Sequence, residues 1–122
     1  MTELHPIDHA IAAHARWKSN LRQAIQTGQS PLTVAQARRD DACDLGRWLI
    51  ERPAPVKSSP HYLEVLDLHA KFHREASHVL ELALAGKATE AAEAMAIGNP
   101  FATVSSKLTI ALTAWKKAIT GA

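Results

Sequence analysis

His69 and His73 stand four residues apart in "LDLHAKFHRE", the stretch from Leu66 to Glu75 that otherwise has the pattern of an ordinary amphipathic helix. Residues four apart on a helix lie one above the other, and residues seven apart return to nearly the same direction, so both imidazoles share a stripe with Leu66, Ala76 and Leu80. His14 lies seven residues after Ile7 and seven before Leu21, which turns it inward too. Cys43, seven residues before Ile50 and on the side of Gly46, is the fourth member of an inward set spread over three segments. A single inward histidine is most simply a buried, hydrogen-bonded core group, and a single inward cysteine a small hydrophobe. Three imidazoles in one small core all need polar partners, and one divalent cation satisfies them together. Three nitrogen donors and a thiolate suit tetrahedral zinc, whereas a di-iron bundle needs inward carboxylates from several helices, and none stands beside the histidines here.

The other histidines separate from this set. His5 precedes Pro6 at a helix end and His9 falls with Arg16 on the polar side of the same helix, so that pair is expected to be exposed. His78 falls near Lys71, Arg74 and Glu81, and His61 sits in the first turn of its helix; both are expected to be solvated, with His61 the reserve ligand.

The elements that carry these residues are helical throughout. Ile7, Ile11, Leu21 and Ile25 recur at helical spacing between Pro6 and about Thr27, with Gly28 as a stop. Residues 28–39 form a connection with room for one helical turn, after which Asp40 or Asp41 is expected to cap a short helix ending near Arg52, before Pro53 and Pro55. Ser59 and Pro60 open the longest helix, whose core stripe of Tyr62, Leu66, Ala76, Leu80 and Ala83 stops at Gly86. A short alanine-rich helix from Thr89 to about Ile97 is followed, after "GNP", by a last helix with Phe101, Val104, Leu108, Leu112, Trp115 and Ile119 on one side, down to Gly121. No segment alternates with period two long enough to make a strand. The expected fold is all-α, an antiparallel four-helix bundle with an extra short helix, and 122 residues suit one domain over 1–122.

Composition narrows the function. The formal net charge is only +2 and the basic residues are scattered among acids, which argues against nucleic acid as a partner. No apolar run is long enough for a membrane span or a signal peptide, so a soluble, cytoplasmic protein without a membrane partner is expected. Cys43 is the only cysteine, so no internal disulfide can form.

Three blocks in order, "HARW" at His14 to Trp17, "CDLGRW" at Cys43 to Trp48 and "HAKFH" at His69 to His73, resemble the signature of the chemoreceptor zinc-binding (CZB) domain family. The resemblance implies a small helical bundle, often homodimeric, with His14, Cys43, His69 and His73 as zinc ligands. Trp17, Leu45, Gly46 and Trp48 would be the structural members of the motifs. Such domains are fused to bacterial chemoreceptors or diguanylate cyclases or stand alone, and they are implicated in sensing zinc or oxidants such as hypochlorous acid through the zinc-bound cysteine. By this resemblance Cys43 is the redox-sensing residue, and chemoreceptor or diguanylate cyclase pathway proteins are the expected signalling partners. No methyl-accepting or cyclase output domain stands in this sequence, so the expectation is a standalone domain or one excised from a larger protein.

An enzyme is not expected. Four protein ligands leave no vacant position for a zinc-bound water, and the hydrolase pattern H-E-x-x-H needs a glutamate where Ala70 stands. The competing reading is a structural, zinc-stabilised homodimerisation bundle. A hemerythrin-like site is disfavoured by the missing carboxylates and by the cysteine.

Overall fold

The structure is a computed structural model that describes residues 5–39 and 43–120. Among these residues it is entirely helical. Three long helices, α1 (Pro6–Thr27), α5 (Pro60–Leu84) and α7 (Pro100–Thr120), are joined by four short ones: α2 (Val34–Arg38), α3 (Asp44–Ile50), α4 (Ala54–Lys57) and α6 (Ala88–Ala94). The sequence foresaw the helical bundle and the three long helices; the bundle is more subdivided than expected, because α2 and α4 each add a short helix within a connection.

Local chemistry sets most boundaries. His5 caps α1, its Nδ1 accepting the Ile7 N–H at 3.1 Å, and Gly28 ends it in the left-handed region at φ 72°, a conformation that only glycine adopts cheaply. Thr33 and Gln36 form a reciprocal capping box that explains why the polar stretch before them winds into α2: the Thr33 hydroxyl accepts the Gln36 N–H, and the Gln36 side chain accepts the Thr33 N–H. Ser59 caps α5 by accepting the Tyr62 N–H, with Pro60 in the first turn. The expected caps Asp40 and Asp41, and the stop at Gly121, lie outside the described residues; the N-cap of α3 is Cys43 itself.

The long α5 is the spine, packing on α1, α2, α6 and α7. Its buried side chains Val65, Phe72, Ala76, Val79 and Leu80 meet Ile7 and Leu21 of α1 and Phe101, Leu108 and Leu112 of α7 in one apolar cluster. Each fully buried leucine or phenylalanine contributes about 1.5–3 kcal/mol, so this cluster is the main stabilising element of the bundle. Lys116 pairs with Asp8 at 2.9 Å between α7 and α1. The Tyr62 hydroxyl donates to the Leu49 carbonyl at 3.2 Å and fastens α3 onto α5.

Three residues assigned to core stripes are exposed: Leu66 (38 %), Ile50 (57 %) and Ile119 (50 %). On α5 the buried line runs through Tyr62, Val65, His69, Phe72 and His73, which leaves Leu66 one step off it. On α3 the inward residues are Leu45, Gly46 and Leu49, so Ile50 is not the packing partner that the seven-residue spacing from Cys43 suggested. That spacing assumed Cys43 was inside a helix, whereas it precedes the first turn in extended backbone. His5 is half-buried instead of exposed, because its capping role turns the ring edge-on to Trp48, with centroids 6.4 Å apart.

Candidate metal centre

His14, Cys43, His69 and His73, the four residues singled out from sequence, come together. Their Nε2, Nδ1 or Sγ ligand atoms all lie within 4.8 Å of one another. His69 Nε2 and His73 Nε2 are 3.0 Å apart, and Cys43 Sγ lies 3.2 Å from the first and 3.6 Å from the second. Tetrahedral zinc, with bonds of about 2.05 Å to nitrogen and about 2.3 Å to sulfur, places nitrogens about 3.3 Å apart and sulfur about 3.6 Å from each nitrogen. The three separations therefore already lie within a few tenths of an ångström of a zinc tetrahedron.

Tautomers are fixed by backbone carbonyls. His14 Nδ1 lies 2.7 Å from the Ala10 carbonyl and His73 Nδ1 lies 2.9 Å from the Ala37 carbonyl. A carbonyl only accepts, so each Nδ1 carries the proton and each Nε2 keeps its lone pair free to bind a cation. On α1 the carbonyl one turn earlier supplies this bond. For His73 the carbonyl comes from α2, which is why the short helix matters to the site.

One polar atom completes the test of fit. His14 Nε2 is buried and has no hydrogen-bond partner, and a lone pair stranded in this way costs about 1–3 kcal/mol. A metal among the four side chains would satisfy it, whereas a purely structural histidine would be expected to find a protein partner.

Burial also keeps the imidazoles neutral. Desolvation, partly offset by the bond to the Ala10 carbonyl and reinforced by His73 nearby, pushes His14 down to about 4. Desolvation again, then His73 and His14, push His69 down to about 2. Both imidazoles are therefore neutral at physiological pH, the state in which they bind metals.

The walls are aromatic. Phe72 stands edge-on to His14 with centroids 4.7 Å apart, and Trp17 stands edge-on to His73 at 5.7 Å. The three histidines are almost fully buried, with at most 6 % exposure, while Cys43 is half-buried. Its sulfur also accepts the Gly46 N–H at 3.4 Å as the cap of α3. An N-terminal helix turn of this kind favours the thiolate.

The remaining histidines are elsewhere. His9, His61 and His78 are not buried, and His61, the reserve ligand, does not belong to the cluster. The contribution of the Ala37 carbonyl was not anticipated, since a backbone acceptor leaves no side-chain signal; the pattern T-x-x-Q at Thr33–Gln36 was the available clue to an ordered turn there.

The fold and the cluster define a helical domain in which three buried histidines and a half-buried cysteine are positioned to hold a metal ion. Residues 14–80 match the family model described as the chemoreceptor zinc-binding domain, CZB, and this chain belongs to that family. The match begins at His14 and runs past His73, so it encloses all four cluster residues. The family description names zinc binding and no catalytic activity. No curated protein and no solved structure matches the chain closely enough to be counted as a relative. Among the described residues no helix is long and apolar enough to cross a membrane.

Proposed function

We propose that this chain is a single-domain, cytoplasmic zinc-binding sensory module of bacterial signalling. In this reading His14, Cys43, His69 and His73 hold one zinc ion, and Cys43 reports oxidants such as hypochlorous acid to a chemotaxis or cyclic-di-GMP pathway. Zinc availability is the second signal the same site would read. Zinc, when bound, would hold the Cys43 sulfur as a thiolate and join α1, α3 and α5 through their side chains.

The observation that carries the reading is the unequal exposure of the ligands. Cys43 is the only cluster member that solvent reaches appreciably, and it is also the only one that oxidants convert readily. The thiolate would react with hypochlorous acid to give a sulfenic acid and chloride, the sulfur losing two electrons and gaining the oxygen. A sulfenic sulfur is a poorer donor and a poorer helix cap. Cys43 would then release its end of α3, while His14 still faces His69 and His73 and keeps α1 against α5.

The short α3 is suited to move. Its seven residues are held by Leu45 and Leu49, by Trp48 against Trp115, and by the Tyr62 hydroxyl. The module would act as a homodimer, for which the exposed Leu63 and Leu66 of α5 and Ile110 of α7 offer apolar surface. If zinc merely stabilised such a dimer, oxidant would not release it.

The test is a titration with hypochlorous acid in the presence of a zinc-responsive dye, on wild type and Cys43→Ser. Release of zinc from wild type at near-stoichiometric oxidant, absent or strongly delayed in Cys43→Ser, supports the redox switch. Zinc that oxidant cannot dislodge from wild type refutes the redox switch and leaves a zinc sensor or the structural dimerisation bundle.

A further inference from the structure

A groove of about 610 Å³ opens at the end of α3 opposite Cys43, between the start of α1, α4, the start of α5 and the end of α7. None of the four cluster residues lines it. Its floor is aromatic: Trp48 and Trp115 meet with centroids 5.2 Å apart. Pro6, Pro55, Val56, Ala118 and Ile119 give it apolar walls.

The polar groups of the groove share one character. Among the described residues that line it, Arg52 is the only permanently charged one, His5, Ser59 and His61 are the other polar ones, and no Asp or Glu is present. The Arg52 guanidinium lies 4.3 Å from the Trp48 ring centroid, and its Nε donates to the Trp48 carbonyl at 2.9 Å. Stacking and this bond hold the side chain in place, and no carboxylate pairs with it among the described residues. A fixed cation loses less conformational freedom on binding than a free one, which favours an anionic partner. An aromatic floor beside a pre-positioned guanidinium fits a ligand with a flat apolar body and one carboxylate.

We propose that this groove is a binding site for a small aromatic carboxylate, with Arg52 holding the carboxylate and Trp48 and Trp115 receiving the ring. The site is separate from the metal cluster but shares α3 with it, so it gives the domain a second, organic input. An acidic peptide would offer carboxylates as well, but the single cation and the limited volume favour one small molecule.

The experiment follows the three tryptophan indole N–H signals of the full chain, as purified, by nuclear magnetic resonance during titration with phenylacetate and with neutral phenylacetamide. The Trp48 and Trp115 signals should shift saturably, Trp17 should stay in place beside His73, and the amide should bind about tenfold more weakly. Arg52→Gln should bring phenylacetate down to the affinity of the amide while leaving the amide unchanged. Ala118→Phe, which fills the groove from the surface of α7 without touching Arg52 chemistry, should abolish binding of both and decides the matter if Arg52→Gln loses its helicity. Shifts that do not saturate, acid and amide binding equally, or binding that survives Ala118→Phe would each overturn the proposal.

Discussion

Replacing His14 by leucine should make the metal-free protein more stable and the zinc-loaded protein less stable. Without metal, the His14 ring leaves Nε2 buried and unpartnered, at a cost of about 1–3 kcal/mol. Its Nδ1 bond to the Ala10 carbonyl returns about 1 kcal/mol, and His14→Leu would lose that bond without orphaning the carbonyl, which stays within the helix. The two side chains are similar in size, and the site is walled by Phe72 and therefore suited to an apolar replacement. The net change is a gain of about 1 kcal/mol, or about 4 °C in Tm for a chain of this length. With zinc the sign reverses. Loss of one of four ligands should weaken binding at least about a hundredfold, so about 2.7 kcal/mol of ligand-linked stability disappears at a fixed zinc concentration. Thermal unfolding of both proteins, with chelator and with excess zinc, gives four melting temperatures, and the prediction is that the two pairs change in opposite directions. If His14→Leu left the metal-free protein clearly less stable than metal-free wild type, His14 would be an ordinary structural core residue and the reasoning would be refuted.

Thr33→Ala removes the capping box of α2 and should cost about 1 kcal/mol of stability. Because α2 carries the Ala37 carbonyl that orients His73, zinc affinity measured by competition with a chelator should fall by up to about tenfold, although Thr33 touches no ligand. Gly46→Leu places a large side chain at a buried position one turn into α3 and should likewise loosen zinc without removing a ligand; unchanged affinity would show that α3 has room to spare. The metal-free protein should lose stability as pH falls. The unfolded chain takes up a proton on His14 near 6.5 and the folded chain only near 4, so the loss begins as pH drops below about 6.5 and reaches about 3 kcal/mol by pH 4 from His14 alone. His69 acts in the same direction, and denaturant melts between pH 7 and pH 4 check the slope.

The bundle and the cluster were legible in the sequence for different reasons. The long helices were marked by strong local signals, Pro6 with Gly28 and Ser59 with Pro60, together with periodic apolar residues, and α1 runs over the expected residues. His14, His69 and His73 were placed inward because each lies well inside a long helix, where a spacing of four or seven fixes direction. Cys43 was placed with them by the same argument, although the argument did not apply: it lies in extended backbone before α3, and Ile50, its supposed companion, is exposed. The sulfur reaches the cluster because it caps α3, a geometry in which the side chain folds back over the first turn. Short elements were the least readable. The first turn of α4 lies in a proline-rich stretch that reads as an irregular connection, and its N-cap, Pro53, makes no side-chain capping bond that could have announced it. The carbonyl of Ala37 was invisible because second contacts of a ligand are set by tertiary packing.

The most direct test of the central claim is zinc content together with X-ray absorption at the zinc edge on the purified protein. The account predicts one zinc per chain, bound by one sulfur at about 2.3 Å and three nitrogens at about 2.0–2.1 Å, with the sulfur shell missing in Cys43→Ala. A protein that holds no zinc, or zinc without a sulfur neighbour in the wild type, would contradict it.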